Sequence, residues 1–351
     1  MDTSKANILL IFIKISIVLC QLFPLLSFTF LILLIMITYY KKENGQLIQL
    51  SQPEQGCWIN MYGPFAPGET QQISEKLSID IDFITDSLDI DERSRYEMGD
   101  DGANLIVLKT PVENNGISDS EALYITIPIG IIRTEENIIT VSAYKNKVID
   151  YFLETPPKTF KTNDVVGFIL NIFDKNVATY QEFLKQINYK RYAYEKAVYS
   201  SSQNEDLTKL LNLQKSLIFF VTNLRGNELL KLKIKRSNFL KIEDEEKMDW
   251  LDDIITENSQ AMEMSDLYSN ILNGTMDAFA SIISNNLNQV MKRLTSVTIV
   301  LTIPSLIASF YGMNVQHLPF ANHPYSFVII FAASILISIL TTWYFVKQNW
   351  L

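Results

Sequence analysis

Residues 294–346 contain no Asp, Glu, Lys or Arg, and this charge-free stretch constrains the fold more than any other feature of the sequence. Residues 312–324 divide it into two apolar segments, 294–311 and 325–346. A helix needs about 20 apolar residues to cross a bilayer core about 30 Å thick, so each segment is long enough to span a membrane. The sequence therefore predicts a two-helix C-terminal membrane hairpin.

The basic residues around the hairpin predict its orientation. Lys292 and Arg293 precede the first segment and Lys347 follows the second, whereas the loop at 312–324 carries no formal charge. Because Lys and Arg concentrate on the cytoplasmic side, we expect an external loop and a cytoplasmic tail at 347–351. The protein is then a multi-pass protein of the cell membrane with the bulk of its chain in the cytoplasm.

The first membrane segment continues an acidic amphipathic pattern that begins at residue 243. We therefore predict one uninterrupted helix over residues 243–314, in which residues 243–293 form a stalk outside the membrane. At about 1.5 Å per residue this helix is on the order of 100 Å long, about three bilayer cores. Most of it must stand in the cytoplasm.

A row of mostly polar residues follows one face of this helix. Its members recur in alternating steps of four and three, which is the spacing of a single, slightly supercoiled helix face. They are Asp277, Ser281, Ser284, Asn288, Met291, Thr295, Thr298, Thr302, Ser305 and Ser309, and we call them the polar row. One row cannot enclose a channel, so a water-lining role requires several copies around an axis in a symmetric homo-oligomer. Alternatively, the hydroxyls bond back to helix carbonyls and the small residues pack helices together.

The first 35 residues are mostly apolar and have three interpretations. In the first interpretation they form a third membrane pass, with Lys41 and Lys42 holding its C-terminal end in the cytosol. Alternatively, the natural chain starts at Met36, which opens the sequence MITYYKKENG. A signal peptide is the third interpretation, and it fits poorly because the apolar region is too long and no small-residue cleavage pattern follows.

Between these apolar ends, the sequence predicts a cytoplasmic α/β domain over residues 36–155 and a helix pair over 156–242. The predicted strands are 37–40, 57–61, 104–108, 122–128 and 138–142, and the short helices are 71–77 and 81–88. The paired helices, 164–199 and 206–236, are predicted to be antiparallel and to pack against the sheet. No phosphate loop, nucleophile elbow or His-rich metal set is visible, so neither an enzyme nor an organic cofactor is indicated. The net charge of -9 argues against nucleic acid as a partner.

Residues 243–277 carry eleven carboxylates and a single basic residue, Lys247. Most charged blocks are simply solvated surface. Two acidic groups are singled out for their position: Asp249, Asp252 and Asp253 on the stalk, and Asp86, Asp89 and Asp91 in the α/β domain. If such groups meet between subunits they repel each other unless a cation lies between them, and their hard oxygen ligands suit magnesium.

The sequence YGMN at residues 311–314, after a long helix and before a final membrane segment, resembles the CorA-type magnesium transporter family. Supporting similarity lies at 219–228 (FFVTNLRGNE), at 277–294 and around 86–97, and the resemblance covers roughly residues 36–351. It implies a funnel-shaped homopentameric channel, not an enzyme. It also implies transport of hydrated magnesium, with cobalt or nickel as further candidates, down the electrochemical gradient and under the control of intracellular magnesium.

The resemblance also assigns roles to residues. Ion selection at the outer mouth is expected of Tyr311, Gly312, Met313 and Asn314. A ring of Asn314 amide oxygens would accept hydrogen bonds from a hydrated cation, Gly312 would allow a tight turn out of the helix, and Tyr311 would anchor at the membrane interface. Pore lining and gating are expected of Asp277, Ser284, Asn288, Met291, Leu294, Thr295, Thr298, Thr302 and Ser305. For regulatory magnesium binding, Asp86 and Asp253 fall at the matching positions, and Asp89 and Asp249 of the same acidic groups are expected to take part.

Two features depart from the family pattern. The external loop carries His317 and His323 in place of acidic residues, which leaves room for a transition metal, and the C-terminal tail holds a single basic residue, Lys347. Two other functions therefore stay open: a transporter of zinc or another transition metal with the same fold, and a membrane-anchored oligomeric binding protein.

Overall fold

The computed structural model of the protein describes residues 37–350, apart from residues 44, 67, 100–101, 202–203, 315–318 and 320–323 and the side chains of residues 199–204. The N-terminal segment 1–35, with its three interpretations, lies outside the described residues. The chain divides into two compact units, which meet in sequence between Leu272 and Asn273.

A seven-stranded sheet forms the centre of the first unit. Its strands are β1 (Ile37–Glu43), β2 (Gln46–Leu50), β3 (Trp58–Tyr62), β4 (Arg95–Met98), β5 (Asn104–Glu113), β6 (Tyr124–Arg133) and β7 (Ile138–Ser142). Their order across the sheet is β2-β1-β3-β7-β6-β5-β4. Strands β3 and β7 are parallel, with Trp58 opposite Ile138, and the other neighbouring strands pair in antiparallel fashion. The predicted α/β domain is confirmed.

Three short helices and two long helices complete the first unit, together with the beginning of a third long helix. They are α1 (Glu69–Leu77), α2 (Ile81–Leu88), α3 (Lys147–Glu154), α4 (Val165–Ser201), α5 (Asn204–Ser237) and α6 (Glu245–Tyr311), and a last helix, α7 (Ser326–Lys347), belongs to the second unit. Helix α6 has 67 residues without a break, as the continuous amphipathic and apolar pattern predicted. It begins two residues later and ends three residues earlier than the predicted range of 243–314.

The central strands are buried on both faces. On one face, Phe83 and Ile84 of α2 pack with Leu105 and Val107 of β5 in a single apolar cluster. On the other face, α4 and α5 contact β5 and β6. A strand that is covered on both faces reads as a nearly continuous apolar run, which is why the sequence pattern located β5 and β6.

Helices α4 and α5 form the predicted antiparallel pair. The ring of Tyr180 on α4 lies 5.2 Å from that of Phe220 on α5, and further along, Phe173 lies beneath Lys231. Residue numbers thus fall along one helix as they rise along the other. The two helices dock on the sheet through Tyr124 of β6, whose ring contacts Phe220 and Phe183.

A buried asparagine fastens this helix pair to the sheet. Strand β4 pairs only with residues 104–107 of β5. The main-chain groups of Lys109, further along β5, therefore lie beyond the end of β4. The fully buried Asn227 of α5 takes the place of the missing strand. Its Oδ1 accepts from the Lys109 amide at 3.0 Å, and its Nδ2 donates to the Lys109 carbonyl at 2.8 Å. Buried backbone groups need such partners, so this part of the FFVTNLRGNE segment has a structural role.

The second unit contains the end of α6 and all of α7. Both helices are long and apolar enough to cross a membrane by their length and composition. The Ser338 hydroxyl of α7 donates to the Val300 carbonyl of α6 at 3.5 Å, so the two apolar helices pack against each other. Helix α7 is displaced by one residue from the predicted segment 325–346.

We predict that Asn227→Leu destabilises the protein by about 1–3 kcal/mol, because the buried amide of Lys109 loses its partner and an unmet group costs about that much. The Lys109 carbonyl keeps a partner, since Nδ2 of Asn176 also donates to it at 3.0 Å. Thermal and denaturant unfolding of the purified protein measure this change. Thr222→Ala, at an exposed position of the same helix, is the control and should change stability by less than about 0.5 kcal/mol. Equal stability of Asn227→Leu and wild type would contradict the proposed role of the amide.

Candidate functional site

The polar row is exposed along its whole length in a single chain. Helix α7 packs against another face of α6, where Ser296 is fully buried and Val300, Ile303 and Ile307 are half-buried. At 3.6 residues per turn, the centre of the polar row lies about 150° around the helix from this packed face. The row is therefore free to face water or another subunit, because none of the residues that the structure describes covers it.

Several hydroxyl groups of the row bond back to their own helix. Ser281 donates to the Asp277 carbonyl at 3.1 Å, Thr298 to the Leu294 carbonyl at 2.8 Å and Thr302 to the Thr298 carbonyl at 2.7 Å. This is the local bonding that the helix-packing alternative predicted. It does not argue against a wet surface, because the oxygen lone pairs remain available as acceptors. The water molecules around a cation direct their hydrogens outward and need acceptors of this kind.

Two large apolar side chains interrupt the exposed polar surface. Met291 belongs to the row and Leu294 lies just before Thr295, and their exposed fractions are 51% and 59%. Neither residue is used in packing against α7. Apolar side chains at such positions are suited to form a constriction if several copies of α6 surround an axis.

The YGMN segment at residues 311–314 closes the end of α6. The Gly312 amide donates to the Ala308 carbonyl at 3.0 Å and the Met313 amide to the Phe310 carbonyl at 3.3 Å. The Tyr311 hydroxyl donates to the Pro319 carbonyl at 3.3 Å, which ties the helix end to the loop. Asn314 is exposed. The two loop histidines, His317 and His323, lie outside the described residues.

The expected reason for a glycine at position 312 is not supported. Its φ does not fall in the left-handed region, and a Cβ there would meet the Ala308 carbonyl oxygen at 3.4 Å, an ordinary contact. The backbone turn therefore does not require glycine within the single chain. The tight turn predicted from the sequence is a capped helix end that other residues could also adopt.

Asp86 is already paired within its own chain. Its Oδ2 accepts from Arg95 Nη2 at 2.5 Å, and the same guanidinium also binds Glu92 and Glu97. Burial raises the pKa of Asp86, and the positive charge of Arg95 opposes this shift. Sequence reasoning missed Arg95, although two basic residues within the acidic 86–97 region, Arg93 and Arg95, were a visible signal for a counter-ion.

The other predicted regulatory residues differ in their surroundings. Asp89 is exposed at the end of α2, and its Oδ1 accepts from the Asp91 amide at 2.9 Å. Asp249 and Asp253 are exposed on one face of α6, one turn apart. Their neighbour Asp252, in contrast, binds Lys235 of α5 at 2.5 Å and 2.7 Å.

These carboxylates do not form a metal site within one chain. Among the described residues, no group of three or more His, Cys, Asp or Glu side chains is arranged to hold a metal ion. The structure thus does not bring Asp86 or Asp89 together with Asp249 and Asp253 in one chain. A site that uses both pairs requires a second copy of the chain, as expected for carboxylates that meet between subunits.

Comparison with known proteins identifies the family. A family model described as CorA-like Mg2+ transporter protein matches residues 53–347 of the chain. The chain belongs to this family. The predicted CorA resemblance is confirmed, and the family consists of transport proteins.

Individual CorA proteins are similar over most of the chain. It is 27% identical over 298 residues to the cobalt/magnesium transport protein CorA of Methanocaldococcus jannaschii, covering 84% of this chain and 91% of the relative. The cobalt/magnesium transport protein CorA of Thermotoga maritima is 21% identical over 303 residues, covering 84% of this chain and 83% of the relative.

A solved structure of a CorA protein shows that the fold is shared. The complete structure of the CorA magnesium transporter from Methanocaldococcus jannaschii matches with a TM-score of 0.76 at 24% identity, over 90% of this chain and 99% of that one. The CorA-like fold therefore includes the α/β domain, the long helices and the two apolar C-terminal helices of this chain. The predicted fold class is confirmed at this level.

We predict that Ser296→Leu destabilises the CorA-like hairpin by about 1–3 kcal/mol, because a larger side chain overpacks the buried contact between α6 and α7. Thermal unfolding of the protein in detergent tests this. The matched control is Val297→Leu, which adds an apolar group at the next position, where the side chain is 44% exposed. If both variants lose the same stability, the packed face of α6 is assigned wrongly.

Proposed function

We propose that the chain is one subunit of a homopentameric channel that conducts hydrated magnesium ions across the cell membrane. The observation that carries the proposal is the polar row, ten positions on one face of α6 that the described part of the chain leaves exposed. Hydrocarbon offers hydroxyl and amide groups no partner, so such a face favours a shared aqueous axis. The number of subunits and the funnel shape are carried over from the family resemblance.

The ion path is assigned to the second unit. The wet face is lined by the polar side chains of the row, with Asp277 at its cytoplasmic end. They are Ser284, Asn288, Thr295, Thr298, Thr302 and Ser305. Magnesium sheds its water reluctantly, so a path lined by hydrogen-bond acceptors that hold the hydrated ion costs less than one that strips it. Met291 and Leu294 form the apolar constriction that closes by dewetting.

Selection is assigned to the outer mouth, formed by Tyr311, Gly312, Met313 and Asn314. The exposed Asn314 amide presents an oxygen acceptor to the waters of the ion without the deep electrostatic trap of a carboxylate. The Tyr311 hydroxyl holds the loop through the Pro319 carbonyl, so it positions this mouth. The loop lies outside the cell and the first unit lies in the cytoplasm. Cobalt and nickel are the further candidate ions, since they are divalent and hydrated in the same way.

Transport is proposed to run down the electrochemical gradient. The membrane potential supplies about 2.3 kcal/mol per charge for every 100 mV, and about twice that for a divalent ion. Uptake of a cation into a cell with a negative interior therefore needs no nucleotide.

Intracellular magnesium is proposed to close the channel by binding between subunits. Asp249 and Asp253 are exposed on α6 and belong to none of the ion pairs found among the described residues. Facing Asp86 and Asp89 of a neighbouring subunit, they would repel those carboxylates unless a cation screened them. Arg95 already offsets part of the charge at Asp86, so bound magnesium would act mainly on Asp89, Asp249 and Asp253. Loss of the ion restores the repulsion and loosens the closed arrangement.

We predict that Asn314→Ala lowers magnesium uptake about tenfold. The variant loses stabilisation of the hydrated ion equal to about one hydrogen bond, ~1–1.5 kcal/mol, and this lowers the occupancy of the outer mouth by about that factor. Uptake is measured in a magnesium-requiring strain that expresses wild type or variant at equal levels. The control is Asn285→Ala, an exposed asparagine outside the polar row. Equal rescue by Asn314→Ala and wild type would refute selection at Asn314, and net loss of metal from the cells would favour an exporter.

We predict that Asp253→Lys raises the magnesium concentration that protects α6 from proteolysis by at least about tenfold, since a lost charge-assisted contact costs about 1.5–3 kcal/mol. Limited digestion of the full-length protein over a magnesium series measures this midpoint. Glu263→Lys makes the same charge change at another exposed position of α6 and should leave the midpoint unchanged. A digestion pattern that is the same for wild type and Asp253→Lys would refute regulation at this residue.

A further inference from the structure

Lys231 is fully buried where α5 contacts α6. Lysine is almost never fully buried unless a carboxylate pairs with it. Here the Nζ atom donates to Oδ1 of Asn258 on α6 at 2.7 Å and lies 5.8 Å from the ring centre of Phe173 on α4. The amino group thus touches three helices, and its hydrogen-bond partner is neutral.

Asn258 is also fully buried and is held in one orientation. Its Nδ2 donates to the Leu224 carbonyl of α5 at 2.9 Å, so its oxygen must point toward Lys231. The amide therefore connects α6 to α5 through two hydrogen bonds. One of them depends on Lys231.

The charged groups around this contact come from all three helices. Glu228 lies on α5 and Asp174 on α4, and both favour the charged form of Lys231. Glu257 on α6 lies close to Asp174, and burial, followed by the charge of Glu257, raises the pKa of Asp174. Within the described part of the chain, no carboxylate forms an ion pair with Lys231. Burial outweighs the distant carboxylates and lowers the pKa of Lys231 to about 7.

We propose that Lys231 and Asn258 form a proton-binding site that weakens the attachment of α6 to α5 when the lysine becomes charged. A neutral amine can stay in the apolar contact with Asn258 as its partner. The protonated lysine is an ammonium group with three hydrogens to donate and a charge that needs solvation. Protonation of Lys231 therefore favours conformations in which its amino group reaches water. If α6 lines a pore, as proposed above, intracellular acidification then acts on the same helix as magnesium does.

The direction of the pH effect follows from the lowered pKa. The unfolded chain binds a proton at Lys231 up to its ordinary pKa of 10.5, whereas the folded chain gives it up above about 7. The unfolded state therefore holds more protons in this window, and stability rises with pH across it. Below about pH 7 the lysine is charged in both states, so the folded state bears the full free-energy cost of burying the charge.

Hydrogen exchange of the full-length protein in detergent tests the proposal without any substitution. After correction for intrinsic rates, the amides around Lys231 and Asn258 should open on the order of 100-fold more often at about pH 6 than at about pH 9. The amides of the short helix α1, which packs in the cluster on the other face of the sheet, open locally without exposing Lys231. They serve as the internal reference and should change much less. Equal changes at both places would overturn the proposal.

Two variants make the test specific to one side chain. Lys231→Met carries no charge and should lose the pH dependence of opening, whereas Lys231→Arg keeps its charge and should open often at both pH values. Lys233→Met, at an exposed position of the same helix, should behave as wild type. If Lys231→Met keeps the wild-type pH dependence, Lys231 is not the proton-binding group. These measurements do not involve ion flux, so they can succeed or fail independently of the proposed transport.

Discussion

A polar surface in a membrane must find a partner, and this requirement organises the second unit. Hydrocarbon cannot accept or donate hydrogen bonds, and helices satisfy only their own backbone. Helix α7 covers the face of α6 that holds Ser296 and Val300, and it leaves the polar row uncovered. The hydroxyl hydrogens of Thr298 and Thr302 are satisfied within the helix, but the oxygens still face outward. The row therefore needs water or another subunit, and the proposed ring of subunits would supply both.

In the first unit, polar contacts attach the long helices to the sheet and to one another. Strand β4 ends too early to cover β5, and Asn227 supplies the missing hydrogen bonds from a helix. Lys247, the single basic residue in the acidic block of α6, binds Asp164 just before α4. Lys231 adds a third connection through Asn258. Polar contacts at helix ends and in buried positions thus join α6 to the unit that is proposed to sense magnesium.

Local sequence patterns located most elements because both faces of the central strands are apolar. Strand β7 and helix α2 have the predicted bounds, 138–142 and 81–88. Strand β5 was predicted too short because Lys109, Thr110 and Pro111 interrupt its apolar run, although Lys109 and Thr110 are buried. The elements that were missed, β2, β4 and α3, are short, and β4 is a polar strand at the sheet edge. The strands β2 and β4 form because a neighbouring strand offers an edge to pair with. Helix α3 had a local signal that was overlooked, since Oδ1 of Asn146 caps it by accepting from the Ile149 amide at 3.0 Å.

The sequence by itself determined the membrane hairpin, the unbroken α6, the polar row and the family, because these depend on hydrophobicity, helical period and a local motif. It could also name the acidic residues proposed to bind magnesium. Only the tertiary structure decided which of them carry a counter-ion: Arg95 binds Asp86, Lys235 binds Asp252, and Asp253 stays exposed. It likewise decided that Lys231 is buried against Asn258. Partners and burial arise from residues that are distant in sequence, and periodicity carries no information about which of them will meet.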